Sequence, residues 1–189
     1  MKTIGFAMCG SFCTFDKALA AAETLAKDYN LVPIMSETAY ATDTRFGDAE
    51  SFRTRLETVA GQAVIHTIKS AEPIGPSGML DALVIAPATG NTLSKLARGI
   101  TDTAVTMAAK AHLRRGKPVV VAVSTNDALS GSAESIARLL NRKHVYFVPL
   151  YQDDATNKPN SLAADLGRLP AALAAALAGQ QLQPLFVCN

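Results

Sequence analysis

Tryptophan is absent from this 189-residue chain, and aromatic residues make up only 6% of it. Three cysteines, Cys9, Cys13 and Cys188, are too few for a disulfide framework, which points to a reducing, cytoplasmic setting. The histidines, His66, His112 and His144, are scattered, and Cys9 with Cys13 falls short of a zinc ligand set, so no metal is expected. No run approaches the about 20 consecutive apolar residues a membrane span requires. The opening MKTIGFAMCGSF is broken by Gly5, Gly10 and Ser11, which argues against a targeting leader. Charge of one sign is also lacking. Eighteen basic against sixteen acidic residues leave +2, too balanced to suggest nucleic acid. The short clusters HLRRGK and NRKH read as helix ends where cations offset the dipole. Neither GxGxxG nor GxxxxGK[ST] occurs, so the common dinucleotide turn and the P-loop are unsupported, and there is no GxSxG nucleophile turn.

What is present is a chain with 49% hydrophobic and 18% charged residues, as in one globular domain spanning 1–189 with a tail from about 180. Apolar runs at 3–8 (TIGFAM), 31–35 (LVPIM), 63–68 (AVIHTI), 82–86 (ALVIA), 118–123 (PVVVAV) and 145–149 (VYFVP) read as strands. Helical spacing links Ala18, Ala22, Leu25 and Tyr29, and then Phe52, Leu56 and Val59. Further helices are expected at 91–98, 103–115 and 133–141, and an Ala- and Leu-rich one at about 161–178. EPIGPSG reads as a loop, and the apolar tail QLQPLFVCN as a segment that docks on another chain. The alternation predicts a three-layer, Rossmann-like (flavodoxin-like) α/β domain, a parallel sheet with helices on both faces.

In such a sheet, ligands sit beyond the carboxyl ends of the strands. The stretch LVIAPATGNTLSK brings Pro87, Thr89, Gly90, Asn91 and Thr92 to that edge. Pro87 helps to end the strand, Gly90 lets a ligand approach the backbone, and Asn91 or Thr92 caps the next helix. An ordinary capped turn explains this stretch equally well. Three more strand ends carry the same residue types, Gly10-Ser11, Ser36 and Ser124-Thr125-Asn126. Small polar residues converging on one crevice suit a nucleotide-like cofactor held by amides and hydroxyls.

The segment IAPATGNTLSKLARGITDT resembles the signature of the flavoprotein family that includes the homo-oligomeric flavin-containing cysteine decarboxylases. The resemblance implies FMN packed on the Thr89–Thr92 loop, with Thr103 after the GITD segment and Gly10-Ser11 on the phosphate side. It also aligns His66 with the family's active-site histidine and implies trimers or higher assemblies. Two departures stand out. Ser124-Thr125-Asn126-Asp127 replaces the Pro-x-Met-Asn substrate clamp and keeps only Asn126, which disfavours cysteine decarboxylation, and Gly90 replaces the usual Ala.

A narrower likeness runs through GSFCTFDK, PIMS…TDTRFG, EPIGP, APATGNT, STNDAL, YFVPLYQDD…KPNSL and QLQP, and is to the B-subunit branch, the dipicolinate synthases. It implies oxidation of a dihydro- or hydroxytetrahydrodipicolinate to pyridine-2,6-dicarboxylate in the mother cell of a sporulating bacterium. NAD(P) would be carried by a companion A subunit. In that chemistry Arg45 is expected to meet a substrate carboxylate, ahead of Arg98 or Lys110, and His66 to take the ring proton, with Asn126 as the third catalytic residue. Two other classes stay open: a stand-alone FMN-dependent decarboxylase, and a non-catalytic partner that only binds a nucleotide or phosphate.

Overall fold

A computed structural model describes residues 1–188. The chain runs through β1 (Thr3–Met8), a 3-10 turn at Phe12–Thr14, α1 (Phe15–Leu25), β2 (Asn30–Met35), α2 (Glu37–Ala41), α3 (Ala49–Ala60), α4 (Ile68–Ala71) and α5 (Ile74–Ser77). It continues with β3 (Ala82–Ala88), α6 (Gly90–Arg98), α7 (Ala104–Leu113), β4 (Val119–Thr125), α8 (Ala133–Leu140) and β5 (Val145–Phe147). The last part holds β6 (Leu150–Tyr151), β7 (Leu162–Ala164), a 3-10 turn at Leu166–Arg168 and α9 (Leu169–Leu177).

The expected α/β layering is present. Every residue of β3 is buried, as a strand covered by helices on both faces must be. The strand order is β2-β1-β3-β4-β7-β6, with β5 beside the lower half of β4. Strands β1 to β5 are mutually parallel, so the C-terminal ends of β1, β2, β3 and β4 share one rim. Phe15 meets Phe52 edge-on at 5.0 Å between ring centres and ties α1 to α3 over that sheet.

Five expectations are corrected. The sheet is mixed, because β7 lies antiparallel to β4 and β6 antiparallel to β7. The long helix expected at 161–178 begins only at Leu169, since Ser161-Leu162-Ala163-Ala164 extends to pair with Thr125 and Ser124. Tertiary pairing there overrides the helical propensity of Ala and Leu. Residues 63–68 form no full strand, and Ile65 alone bridges Ile34 before α4 begins. EPIGPSG folds into α5, which is covered by α7 and ends at Gly78 in the left-handed region (φ 63). Pro87 does not end β3, which continues to Ala88 through a register shift against β4.

The tail docks on its own chain. Leu150 N–H donates to Leu185 O at 2.8 Å, and Val187 N–H to Leu150 O at 2.9 Å. The two basic clusters follow the C-terminal ends of α7 and α8, and Arg142 donates to Leu96 O in the last turns of α6 at 2.9 Å.

Candidate functional site

At the C-terminal rim, β1 delivers Gly10-Ser11 and β4 delivers Ser124. The Ser124 hydroxyl lies 2.8 Å from that of Ser11 and 2.8 Å from that of Thr14. Ser11 and Thr14 are themselves 3.5 Å apart, so the three hydroxyls close a triangle whose longest side leaves the weakest hold on a proton. The cluster sits at the start of α1, an eleven-residue helix whose first turn presents amides and positive dipole to the same place.

Beside it Asp127 acts as a hub. Thr125 and Ser132 both donate to Asp127 Oδ1, at 2.6 and 2.8 Å. These bonds fix the turn after β4 against the start of α6. A methyl group at Gly90 would lie 2.5 Å from Ser132 Oγ and 2.9 Å from Asp127 Oδ1. Gly90 therefore makes room for the hub rather than for a ligand, which corrects the sequence expectation. The cap of α6 is also reassigned. Thr89, not Asn91 or Thr92, accepts from the Thr92 amide at 3.2 Å.

These turns border one open cleft of about 1150 Å³. It gathers Gly10, Ser11, Thr89, Ser124, Thr125, Asn126 and Arg45 from the expected set. The others lie outside its lining. Ser36 is buried and caps α2, accepting from the Ala39 amide at 3.2 Å. Thr92 is buried beneath Thr89, Asn91 is exposed on α6, and Thr103 caps α7 through a reciprocal box with Thr106. His66 stands beyond β2, its ring stacked on Tyr40 at 3.7 Å and 9°, while the Arg53 guanidinium lies 4.8 Å from the other partner of that stack, the Tyr40 ring.

Sequence reasoning missed several groups in the cleft. Thr14 and Lys17 come from the start of α1, three and six residues beyond Ser11. Their signal was present, since a helix containing Asp16 and Lys17 begins four residues after Ser11, with Thr14 just before it. Asp153 and Lys158 enter from the segment between β6 and β7 and form an ion pair at 3.4 Å. That segment reaches the cleft only because β7 pairs antiparallel with the end of β4, a pairing no local pattern announced. The thiol of Cys9, just below Gly10, is pushed up to about 11 by burial, against hydrogen bonds from Thr92 and Thr89. It is a packed apolar group rather than a nucleophile.

The donor set suits a ligand that joins a phosphate to a flat polar ring. The hydroxyls of Ser11, Thr14 and Ser124 meet at the start of α1, and Lys17, Thr89, Thr125 and Asn126 line the same cleft. Among the described residues there is no cluster of three or more metal-ligating side chains, and no helix is long and apolar enough to cross a membrane.

Comparisons with known proteins agree with this geometry. A sequence model of the Flavoprotein family matches residues 1–164. The dipicolinate synthase B subunit of Bacillus subtilis (strain 168) is 43% identical over 189 residues, covering 100% of this chain and 94% of that protein. The crystal structure of the dipicolinate synthase B subunit from Bacillus halodurans C superposes with a TM-score of 0.91 at 42% identity, covering 100% of this chain and 97% of the other. Burkholderia xenovorans DmrB in complex with FMN, a cubic protein cage for redox transfer, shares the fold at 22% identity and a TM-score of 0.69, over 94% of this chain and 96% of its own. On these matches, with its cleft at the rim of a mostly parallel sheet, the chain belongs to the Flavoprotein family, in the branch of the dipicolinate synthase B subunits.

Proposed function

We propose that this chain is the flavin-binding component of a two-component enzyme that oxidises a dihydro- or hydroxytetrahydrodipicolinate to pyridine-2,6-dicarboxylate during sporulation. A companion A subunit carries NAD(P), and this chain assembles as a trimer or higher oligomer in the mother-cell cytoplasm. The observation that carries the reading is the joining of the Ser11, Thr14 and Ser124 hydroxyls in a cleft that Lys17 also lines. It stands in a chain 43% identical over its whole length to a dipicolinate synthase B subunit.

FMN, when bound, supplies a two-electron acceptor. The residues of this chain hold and orient. Gly10, Ser11, Thr14 and Ser124 receive the phosphate, with Lys17 offsetting its charge. Thr89, Thr125 and Asn126 face the ring edge, with Thr125 fixed by Asp127. Gly90, Asn91 and Thr92 support that loop, Ser36 stands at the neighbouring strand end, and Thr103 holds the segment after α6. Arg45 has no acidic partner among the described residues and meets a substrate carboxylate. His66 accepts the ring proton, and because it stands outside its own cleft, it does so in the cleft of a neighbouring copy.

The test is a titration of the purified chain with FMN, followed by assay with and without the companion A subunit. Flavin uptake with activity only in the pair supports the proposal. Activity without the partner favours a stand-alone enzyme, and a chain that takes up no FMN favours a non-catalytic role. Replacing His66 by Asn should abolish turnover while leaving FMN binding intact; unchanged turnover would remove His66 from the chemistry.

A further inference from the structure

The cleft has a second element beside the hydroxyl cluster, the turn that carries Arg45 and Phe46. Residues Thr44 to Gly47 close a tight turn through two reciprocal backbone bonds, Thr44 N–H to Gly47 O at 3.0 Å and Gly47 N–H to Thr44 O at 3.1 Å. The Phe46 amide also donates to Thr44 Oγ1 at 3.2 Å, and the Ala49 amide to Asp43 Oδ1 at 2.8 Å. Gly47 packs against Phe52, where a Cβ would come within 2.7 Å of the ring. The turn is therefore rigid and anchored. What it presents is unusual for so firmly held a segment: a phenyl ring that is 44% exposed, Phe46, next to a guanidinium, Arg45.

The Arg45 guanidinium carbon lies 4.9 Å from the centre of the Phe46 ring. A ring has two faces, and one cation covers only one of them. The rest of the exposed phenyl faces the cleft, and the guanidinium keeps its N–H groups free of any carboxylate among the described residues. Lys158, from the segment between β6 and β7, lines the same cleft. Its one ionic contact is with Asp153 at 3.4 Å, longer than a strong charge-assisted bond, and its side chain is 55% exposed. Asp165, the other acid in the lining, is already bonded to Arg168 at 3.0 Å. An unsatisfied aromatic face and two available cations, carried by two different loops, match a flat ring that bears two carboxylates.

We infer that Phe46 and Lys158 join Arg45 as specificity-determining residues of a dicarboxylate subsite, Phe46 stacking on the ring while Arg45 and Lys158 each take one carboxylate. The inference rests on the proposed function for its ligand class, a six-membered ring with 2,6-dicarboxylates that becomes planar in the aromatic product. In this subsite Asp153 holds Lys158 in the cleft until a carboxylate takes it over.

The test compares three probes by calorimetry on the intact FMN-titrated protein: pyridine-2,6-dicarboxylate, pyridine-2-carboxylate and the ring-free glutarate. The wild-type chain should bind the first more tightly than either of the others. Lys158→Met should weaken pyridine-2,6-dicarboxylate and glutarate about tenfold or more, as loss of a charge-assisted bond does, and leave pyridine-2-carboxylate unchanged. Phe46→Leu should weaken both pyridines about three- to tenfold, the range of an aromatic contact, and leave glutarate unchanged. Absence of pyridine-2,6-dicarboxylate binding, equal affinity for all three probes, or a parallel change in all three with either variant would overturn the inference. The flavin reading fails separately, through the FMN titration itself. A protein that binds FMN and shows no probe selectivity loses the subsite alone.

Discussion

Replacing Gly90 by Ala sets two effects of opposite sign against each other. Gly90 is the first residue of α6, and by helix propensity alone alanine should stabilise, by up to about 1 kcal/mol. The space around it says otherwise. The added methyl would lie 2.5 Å from Ser132 Oγ and 2.9 Å from both Asp127 Oδ1 and Thr125 Oγ1. Those three atoms are joined by the 2.6 and 2.8 Å bonds to Asp127, so none can retreat without breaking a contact. Losing one bond to a carboxylate costs about 1.5–3 kcal/mol, and forcing a methyl group into filled space costs about 1–3 kcal/mol. After the propensity gain, a net loss of about 1.5–5 kcal/mol remains. For a chain of this size that lowers Tm by about 3–20 °C. Urea unfolding followed by circular dichroism measures it, and a double-mutant cycle with Ser132→Ala isolates the cause. With the nearest oxygen removed, the Gly90→Ala penalty should shrink by at least about 1 kcal/mol. A Gly90→Ala protein as stable as wild type, or a cycle with no coupling, would refute this account of the turn.

Three further outcomes are expected. His112 is buried, and burial, opposed by its bond to Pro118 O and aided by Lys117 and Arg115, pushes it from an ordinary 6.5 down to about 4. The unfolded chain therefore takes up a proton first, and up to about 3 kcal/mol of stability present above pH 6.5 is lost as pH falls toward 4; urea midpoints across that range should show this loss, and His112→Asn should flatten it. In the native protein, Ellman's reagent should titrate Cys13 and Cys188 rapidly and Cys9 only after denaturation, and FMN should slow the reaction of Cys13, which borders the cleft; a third fast thiol would contradict the burial of Cys9. Ser11→Ala should raise the Kd for FMN about tenfold by removing one hydroxyl from the cluster, read by flavin fluorescence, and an unchanged Kd would move the phosphate elsewhere.

Much of the architecture was legible because the central strands are long, apolar and buried on both faces. TIGFAM, ALVIA and PVVVAV left little choice, and placing them in parallel put Gly10-Ser11, Thr89 and Ser124 on one rim. What failed was short or locally ambiguous. AVIHTI has a strand's composition, but it lies outside β2, where only Ile65 finds a backbone partner. Residues 161–164 are good helix formers drawn into a ladder by the free end of β4. The site followed the same logic. Strand-end residues were found, while Lys158 and Asp153 were not, because they arrive through that unannounced pairing. Gly90 was given the wrong reason, since the oxygens that require it belong to Asp127 and Ser132, more than thirty residues away.

Each of the three outer strands of the sheet, β2, β5 and β6, has backbone groups plugged from within, and in β5 the Phe147 amide and carbonyl are both bonded to the Gln181 side chain. At β2, Ile65 donates to Pro33 O and accepts from the Met35 amide, while at β6 the Leu185–Val187 tail occupies the outer groups of Leu150. Strand addition, a route by which β proteins stick to one another, is thereby obstructed at each edge. Contacts between copies must then be made through helical and loop surfaces, where specificity comes from the fit of side chains and not from a backbone that any extended peptide can imitate.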